Sequence, residues 1–497
     1  MSKVIFRLEV EKSDLLTYAL SIILSTTVVI LFLFNSNELF HSFIIPVYFS
    51  GILIGLDLID WLRGRIEIFD PVGFIGVFGY HFFFLAPILQ IYWGAGMGNI
   101  EQPEDWRTWL LGIGIINLIG LILYRYFRTY FLNSTQYKVN KWVIDTNKLL
   151  FVSIPVLIVM LALQTYVYIS YGGISGYINT YTSRDGGFEG MGFLFMVAES
   201  FPIIFLIVCI HLIQKSKFNK SMIIYFSLFV IFLILKMYFG GLRGSRSNTL
   251  WGIIWFAGIF HCFVKPLKKK IIILGSIFVL LFIFVYGIYK GSGDQGLDIF
   301  NSDESIMEIA DDTNRGIDTL LLGDLSRIRT QAFILHKLIE YPDNYNYALG
   351  RSYIGDLSIL IPQRIYPNRQ PTKVKEGTEI ILGSGNYNPN GYVSSRIYGL
   401  TGEFMLNFGY LFAPFTFIIL AFFIGKVREF YFSLNDRDAR LYIYPFFVIM
   451  CFLILVQDLD NLVYSIVKNL MIPYLILLLV KQKHVVQESR NETFIRT

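Results

Sequence analysis

Two arginines stand among small residues in the segment Gly240-Gly241-Leu242-Arg243-Gly244-Ser245-Arg246-Ser247-Asn248. Small residues let the backbone and the guanidinium groups approach a ligand closely, and the planar donor fork of arginine suits phosphate groups. A predicted helix starts just after the turn and adds free N–H groups, and Lys236 lies near the same end. The segment therefore predicts a phosphate or pyrophosphate site at Arg243, Arg246 and Lys236. The alternative is that the two arginines snorkel to lipid headgroups.

A carboxylate that could act as a base lies in the segment Gly402-Glu403-Phe404-Met405-Leu406-Asn407-Phe408-Gly409-Tyr410. This segment comes at the outer start of a predicted span, and a carboxylate partly removed from water has a raised proton affinity. Glu403 is therefore a candidate general base, the group that takes a proton from a reacting hydroxyl. The alternative is a structural role, because an acid near a helix N-terminus is favoured by the helix macrodipole.

A second group of cations lies in the long polar stretch between residues 291 and 399. Its candidates for binding an anion are Arg327, Arg329, Arg364 and Arg396. Acidic residues outnumber basic ones in this stretch, so each arginine taken alone is explained as an ordinary solvated or paired charge. The arginines of the stretch taken as a group predict a wall that faces an anion, and besides these four the group contains Arg315, Arg351 and Arg369.

The sequence argues against several other ligand chemistries. Asp458-Leu459-Asp460 matches a short metal-binding pattern of nucleotide-sugar enzymes, but that pattern is common by chance and falls here in a tight outer turn, where nucleotide sugars are absent. The histidines in apolar blocks and the three cysteines have no metal-binding spacing. We therefore expect neither a metal nor a cofactor.

The net charge of +5 comes mainly from short basic loops, which indicates topology and not nucleic-acid binding.

These residues must be positioned by membrane-spanning helices. Of the 497 residues, 54% are hydrophobic and only 16% are charged, whereas a soluble chain carries about a quarter charged residues. The apolar residues fall in blocks of roughly 20, the length of a helix that crosses a bilayer. The sequence predicts an all-α polytopic integral membrane protein in a lipid bilayer, with about twelve spans, near 15–34, 41–62, 71–93, 108–125, 149–171, 191–213, 222–239, 249–264, 271–290, 400–425, 441–457 and 462–480.

The distribution of lysine and arginine predicts the orientation of these spans. Alternate loops are rich and poor in basic residues along the whole chain, and basic loops face the cytoplasm. Both termini are therefore expected in the cytoplasm. The predicted organisation is an N-terminal bundle of about nine helices over 1–290, a large extracytoplasmic loop over 291–399, C-terminal spans over 400–481 and a cytoplasmic tail over 482–497.

The large loop is predicted to be partly helical. Apolar residues between Asp312 and Glu340 have helical spacing, and Pro342 would end that helix. Beyond it, several prolines and many glycines and asparagines predict irregular structure.

In three features the chain resembles the bacterial O-antigen polymerases of the Wzy type, also called oligosaccharide repeat unit polymerases. The first is the architecture of many spans with a large outer loop late in the chain. The second is the turn Gly241-Leu242-Arg243-Gly244-Ser245-Arg246. The third is the run from Tyr353 to Tyr410, whose end looks like the family's glycine–glutamate–aromatic, then asparagine–phenylalanine–glycine segment. Similarity at the level of motifs covers only roughly 240–250 and 350–425.

The resemblance implies a GT-C-like membrane glycosyltransferase of the bacterial cytoplasmic membrane. Its substrate would be an oligosaccharide linked to undecaprenyl pyrophosphate. The enzyme would transfer the growing glycan of a surface polysaccharide from that carrier onto the non-reducing end of a new lipid-linked repeat unit, at the outer face. Glu403 would be the base, and Arg243 and Arg246 would stabilise the leaving pyrophosphate. A chain-length regulator is a further partner that the resemblance implies.

Two other functions stay open on the sequence alone. A ligase that moves the finished glycan to a different acceptor would use the same pyrophosphate chemistry, so only the acceptor separates it from a polymerase. A flippase or transporter of lipid-linked sugars usually has internal repeats and charges at mid-membrane. The sequence has no repeat, but Glu199 and Lys468 lie within predicted spans and are compatible with transport.

Overall fold

The first part of the chain forms a series of long apolar helices. The computed structural model describes residues 13–97, 100–132, 140–182, 191–242, 246–292, 317–361, 365–394 and 396–484. Up to residue 292 its helices are α1 (Leu15–Asn35), α2 (Ile44–Arg63), α3 (Pro71–Tyr92), α4 (Trp106–Phe131), α5 (Thr146–Ser170), α6 (Gly173–Thr182), α7 (Gly192–Lys215), α8 (Met222–Gly241), α9 (Arg246–Phe263) and α10 (Lys269–Ser292).

The second part of the chain contains shorter helices before the last long one. They are α11 (Ile328–Glu340), α12 (Arg351–Ser358), α13 (Lys373–Leu382), α14 (Gly399–Phe408), α15 (Thr416–Ser433), α16 (Tyr444–Val456) and α17 (Leu459–Val480). Within the described ranges, eight helices are long and apolar enough to cross a membrane, namely α1 to α5, α7, α8 and α17. The chain is thus mostly helical, as predicted, and its helices are those of an all-α membrane protein.

The predicted span over 400–425 is wrong as one continuous helix. Helix α14 ends at Phe408 because Gly409 takes a φ of 84°, in the left-handed region that glycine tolerates. A short 3₁₀ turn over Ala413–Phe415 follows, and α15 then starts at Thr416. Glu403 therefore lies on a ten-residue helix that is too short to span a bilayer.

The large loop is more regular than its composition predicted. Helix α11 ends at Glu340, ahead of Pro342, which confirms the predicted stop. The stretch beyond Pro342 was predicted to be irregular, and this is wrong for α12 and α13. Thr372 caps α13 by accepting a hydrogen bond from the N–H of Val374. Both helices are short and polar, so hydropathy gives little sign of them.

Close helix packing and buried ion pairs hold the bundle together. A Cβ on Gly120 of α4 would lie 2.3 Å from Cδ2 of Phe417, so α15 packs an aromatic ring directly against this glycine. Asp57 on α2 accepts hydrogen bonds from Arg125 at 2.9 Å and from Arg128 at 2.7 Å, both on α4. These contacts bury the charges of Asp57 and Arg128 between α2 and α4, with Arg125 half-buried beside them.

Two short strands join the start of α5 to the end of α17. Strand β1 (Lys141–Ile144) pairs antiparallel with β2 (Lys481–His484), and Trp142 lies opposite Lys483. The ammonium of Lys481 lies 4.1 Å from the centre of the Trp142 ring, a cation–π contact.

Candidate functional site

The end of α8 is bent so that it covers a buried polar cluster. Phe239 and Gly240 leave the helical conformation, and Gly240 has a φ of 123°. A Cβ at Gly240 would lie 2.6 Å from Nδ2 of Asn248 and 2.7 Å from Oε2 of Glu199. Only glycine fits both this backbone conformation and this space. The glycine pair that opens the predicted arginine turn therefore brings the chain over Asn248 and Glu199.

Lys236, predicted as an anion ligand, belongs to this cluster and is 1% exposed. Its ammonium donates to Oδ1 of Asn248 at 3.3 Å, and Nδ2 of Asn248 donates to Oε2 of Glu199 at 3.2 Å. Glu199 also pairs with Lys468 of α17 at 2.5 Å. The cluster therefore contains two ammonium groups and one carboxylate, which gives it a net charge of +1 when all three are ionised.

A cavity of about 170 Å³ lies beside this cluster, between α8, α9, α16 and α17. We call it the lysine cavity. Its lining includes Lys236, Asn248, Trp251, Gln457, Asn461 and Lys468. Nε1 of Trp251 and Oε1 of Gln457 are buried and have no hydrogen-bond partner among the described residues. Buried polar atoms are nearly always paired, so a fitting ligand would accept a hydrogen bond from Nε1 of Trp251 and donate one to Oε1 of Gln457. The two ammonium groups favour a ligand that also carries negative charge.

Glu403 contacts the turn that joins α16 to α17. Its side chain is 3% exposed, and Oε2 accepts a hydrogen bond of 2.9 Å from the backbone N–H of Leu459. The carboxyl group therefore caps α17 and does not act at the start of its own helix. Gln457, two residues before Leu459, lines the lysine cavity. Because two residues span at most roughly 7 Å of chain, the cavity and the carboxyl are close neighbours at this turn.

Further charged groups surround Glu403. Asp356 on α12 is fully buried, and its carboxyl is in hydrogen-bond contact with that of Glu403. Lys373, at the start of α13, pairs with Asp458 and lies 3.6 Å from Oδ1 of Asp460. Burial, followed by the negative charge of Asp458 and the contact with Asp356, raises the pKa of Glu403 well above its ordinary value.

The asparagine that follows Glu403 in the predicted segment fixes α14 against the loop. Nδ2 of Asn407 donates to Oγ of Ser352 at 2.8 Å, and its Oδ1 accepts from the N–H of Gly350 at 2.9 Å. The hydroxyl of Tyr345 donates to the carbonyl of Leu406 at 2.8 Å. These contacts place α12 directly against α14, which is how Asp356 reaches Glu403.

Two of the predicted loop arginines donate to backbone carbonyls. Nε of Arg327 donates to the carbonyl of Val456 at 2.9 Å, and its Nη1 donates to that of Ser326 at 2.9 Å. Nη1 of Arg329 donates to the carbonyl of Gly96 at 2.6 Å. Arg327 thus ties the start of α11 to the end of α16, beside the Gln457 turn. Binding of pyrophosphate by these arginines stays a prediction.

The other predicted arginines are only partly described. Arg396 is half-buried and lies in the electrostatic field of Arg329. Arg243 and Arg364 lie outside the described residues. Of Arg246 the structure describes only the backbone, as the first residue of α9. Asn248, on the first turn of α9, is the described residue of this segment that belongs to the polar cluster.

Comparison with family models, with curated proteins and with solved structures gives no match to this chain. The site must therefore be judged on its own chemistry. In the described part of the chain, no group of three or more histidine, cysteine, aspartate or glutamate side chains is arranged to hold a metal ion. Asp458, part of the Asp-Leu-Asp pattern, instead accepts hydrogen bonds from the N–H groups of Tyr398 at 2.9 Å and Gly399 at 2.8 Å.

Sequence reasoning missed three contributors to this site. Asp356 and Lys373 lie in the loop stretch that was predicted to be irregular, and no sequence signal singled them out. Asn248 was the last residue of the predicted arginine turn but was given no role. The usable signal for Lys468 and Glu199 was their position within apolar spans, where a charge requires a partner or a cavity. In the structure Lys468 and Glu199 are partners of each other, and Lys468 also lines the cavity.

Proposed function

We propose that this protein transfers a glycan from a lipid pyrophosphate carrier onto the hydroxyl of a second lipid-linked oligosaccharide, as a polymerase of a bacterial surface polysaccharide. Undecaprenyl pyrophosphate is the carrier, and the reaction takes place at the outer face of the cytoplasmic membrane. The donor arrives in the bilayer already activated, so the reaction needs no nucleotide and no cofactor.

One observation carries this proposal: a single turn, Gln457–Asp460, borders the lysine cavity through Gln457 and holds the Glu403 carboxyl through Leu459. A glycosyl transfer from a pyrophosphate needs two things at short distance. One is a cationic pocket for the phosphate charge, and the other is a group that accepts the proton of the attacking hydroxyl. Lys236 and Lys468 line the pocket, and the carboxyl is held by Leu459.

The reaction is then a displacement at the anomeric carbon of the donor sugar. The acceptor oxygen forms a bond to that carbon, and the bond from the carbon to the pyrophosphate oxygen breaks. The leaving pyrophosphate takes the electron pair, and the proton of the acceptor hydroxyl passes to the carboxyl group at Glu403. The ammonium groups of Lys236 and Lys468 stabilise the charge that grows on the pyrophosphate, and in this proposal Arg243 and Arg246 add to that stabilisation.

The test is reconstitution of the purified chain in lipid with a lipid-pyrophosphate-linked repeat unit, with products resolved by gel and by mass. The wild type should give a ladder of multiples of the repeat unit on one lipid. Glu403→Gln should lower the rate of ladder formation by a factor of roughly 10²–10⁴, the range that a general base contributes. Glu340→Gln removes an exposed carboxylate at the end of α11 and should leave the ladder unchanged. The absence of any ladder from well-folded wild type would overturn the proposal.

Transport of lipid-linked oligosaccharide is the second candidate, because α8 is broken near Gly240 beside charges buried within spans. Discontinuous helices beside buried charges are typical of secondary transporters. A transporter would move labelled lipid-linked substrate across the vesicle membrane without making longer products. A ligase would attach the glycan to an acceptor that is not a repeat unit, which analysis of the product distinguishes.

A further inference from the structure

Two buried oxygen atoms near the proposed reaction site have no hydrogen-bond donor among the described residues, namely Oε1 of Glu403 and Oδ2 of Asp356. The two side chains are only 3% and 0% exposed. The other oxygen of each carboxyl is held by a backbone N–H, from Leu459 at 2.9 Å for Glu403 and from Lys373 at 3.3 Å for Asp356. The two unpaired oxygens thus belong to carboxyl groups that are in direct contact.

Two ionised carboxylates cannot remain in contact away from water, because each would lack a donor and each would repel the other. A single proton between them removes both costs, since it supplies the missing donor and cancels one negative charge. The hydrogen bonds from Leu459 and Lys373 leave the remaining oxygens satisfied.

The charges around the pair also favour an extra proton. Asp458 and Asp460, from the start of α17, face the pair, as does the hydroxyl of Tyr353 on α12. The ammonium of Lys373 is the near cation, and it is engaged by Asp458 and Asp460.

The guanidinium of Arg327 donates a hydrogen bond to the carbonyl of Val456 and interacts electrostatically with Asp458. Four carboxyl groups therefore face one ammonium and one guanidinium in this cluster, and a bound proton reduces the excess of negative charge.

We propose that Glu403 and Asp356 share one proton at neutral pH and act as a single proton acceptor, in which Asp356 is a positioning residue that sets the proton affinity of Glu403. The catalytic part of this statement rests on the proposed function, whereas the shared proton does not. When the acceptor hydroxyl gives up its proton, the singly protonated pair becomes doubly protonated. The proton returns to water after the glycan product leaves, so the cycle balances without a further reactant.

The titration of the pair agrees with this geometry. Burial, together with the charges of Asp460 and Asp458, raises the pKa of Asp356 to about 6, although the contact with Glu403 acts in the opposite direction. Burial, the charge of Asp458 and the contact with Asp356 also raise the pKa of Glu403 well above its ordinary value. The pair therefore holds one proton at pH 7 and takes a second below about pH 6.

Infrared spectroscopy of the full chain in lipid tests the shared proton directly, because a protonated carboxyl has its own C=O stretching band. The wild type should keep one such band at pH 7, and incorporation of carboxyl-¹³C glutamate or aspartate should shift it. Glu403→Gln and Asp356→Asn should each remove the band, since the new amide donates to the remaining carboxylate. Asp343→Asn, at an exposed loop position, is the control that should keep it.

The wild-type spectrum decides the matter even if a variant fails to fold. Absence of a ¹³C-sensitive carboxyl band in the wild type at pH 7 would overturn the shared proton, and so would a band that survives in both folded variants. The pH dependence of the transfer rate is a separate measurement. The transfer rate of the wild type should fall about tenfold per pH unit below about pH 6.

The pH dependence of the transfer rate in Asp356→Asn distinguishes a positioning role of Asp356 from a merely structural one. Its inflection should move to lower pH, because the amide stabilises the ionised form of Glu403. A lower rate with an unmoved inflection would overturn the positioning role. If the band behaves as expected but no glycan is transferred at any pH, the shared proton stands and the proposed function fails.

Discussion

The backbone N–H of Leu459 donates a 2.9 Å hydrogen bond to Oε2 of Glu403, and this bond joins the first turn of α17 to α14. The first N–H groups of a helix have no partner within it, and the helix dipole favours a carboxylate there. Helix α17 also carries Lys468, which lines the lysine cavity. The proposed base is therefore hydrogen-bonded to the same helix that forms one wall of the proposed pyrophosphate pocket.

Removal of the Lys236 charge should impair glycan transfer more than it impairs folding. Lys236→Met keeps an unbranched side chain in contact with Gly252. That contact is close, because a Cβ added at Gly252 would lie 2.7 Å from Cε of Lys236. Loss of one such electrostatic group costs roughly 10²–10³ in rate. Initial rates of ladder formation in reconstituted vesicles measure the effect.

The matched control for this variant is Lys220→Ala, which removes an exposed lysine between α7 and α8. We expect its rate to equal that of the wild type. Equal rates for Lys236→Met and the wild type, with the same amount of folded protein, would show that the lysine cavity does not hold the leaving group.

The carboxyl pair should make the protein less stable as the pH rises. The pKa of Asp356 is raised from 3.8 to about 6, chiefly by burial, so the folded protein binds more protons than the unfolded chain between these values. Its contribution to the free energy of unfolding is full below pH 3.8 and is lost as the pH rises to about 6 and beyond. Thermal unfolding of the protein in detergent at a series of pH values measures this.

The comparison variant for that series is the double substitution Glu403→Gln and Asp356→Asn. It has no titrating group at either position, so the difference in stability between it and the wild type should shrink as the pH falls. A difference that does not change between pH 4 and 7 would contradict the raised proton affinity of the pair.

Loss of the carboxylate at Asp57 should destabilise the bundle strongly. Arg128 is 6% exposed and donates to Asp57 at 2.7 Å, so Asp57→Ala leaves a guanidinium buried between α2 and α4. Removal of one partner of a buried ion pair costs about 3–5 kcal/mol. Unfolding in detergent should show this loss. Glu38→Ala, which breaks the exposed pair with Arg107, should have little effect, and similar losses in both variants would refute the argument from burial.

The apolar blocks made the helices predictable, because a helix that crosses a membrane must satisfy its backbone internally and expose apolar side chains. Lys236 and Glu403 were also predictable, since a charge beside or within an apolar block needs a partner or a cavity. Both turn out to be almost fully buried at polar clusters.

The break after Phe408 and the role of Asp356 were not predictable in the same way. The residues between Gly409 and Thr416 are largely apolar, so hydropathy continues through the turn, and only the φ of 84° at Gly409 ends α14. Asp356 lies in a polar eight-residue helix, and its contact with Glu403 depends on the packing of α12 against α14 and α17. Tertiary contacts of that kind leave no periodic signal in a single sequence.

The most direct test of the central claim is to count the lipid pyrophosphate released for each glycosidic bond formed, in vesicles that contain the purified chain and a lipid-linked repeat unit. Transfer from a pyrophosphate carrier predicts one released lipid pyrophosphate per new bond, and both quantities should fall together in Glu403→Gln and Lys236→Met. Movement of the substrate across the membrane with no released lipid pyrophosphate and no new bond would contradict the claim and favour transport.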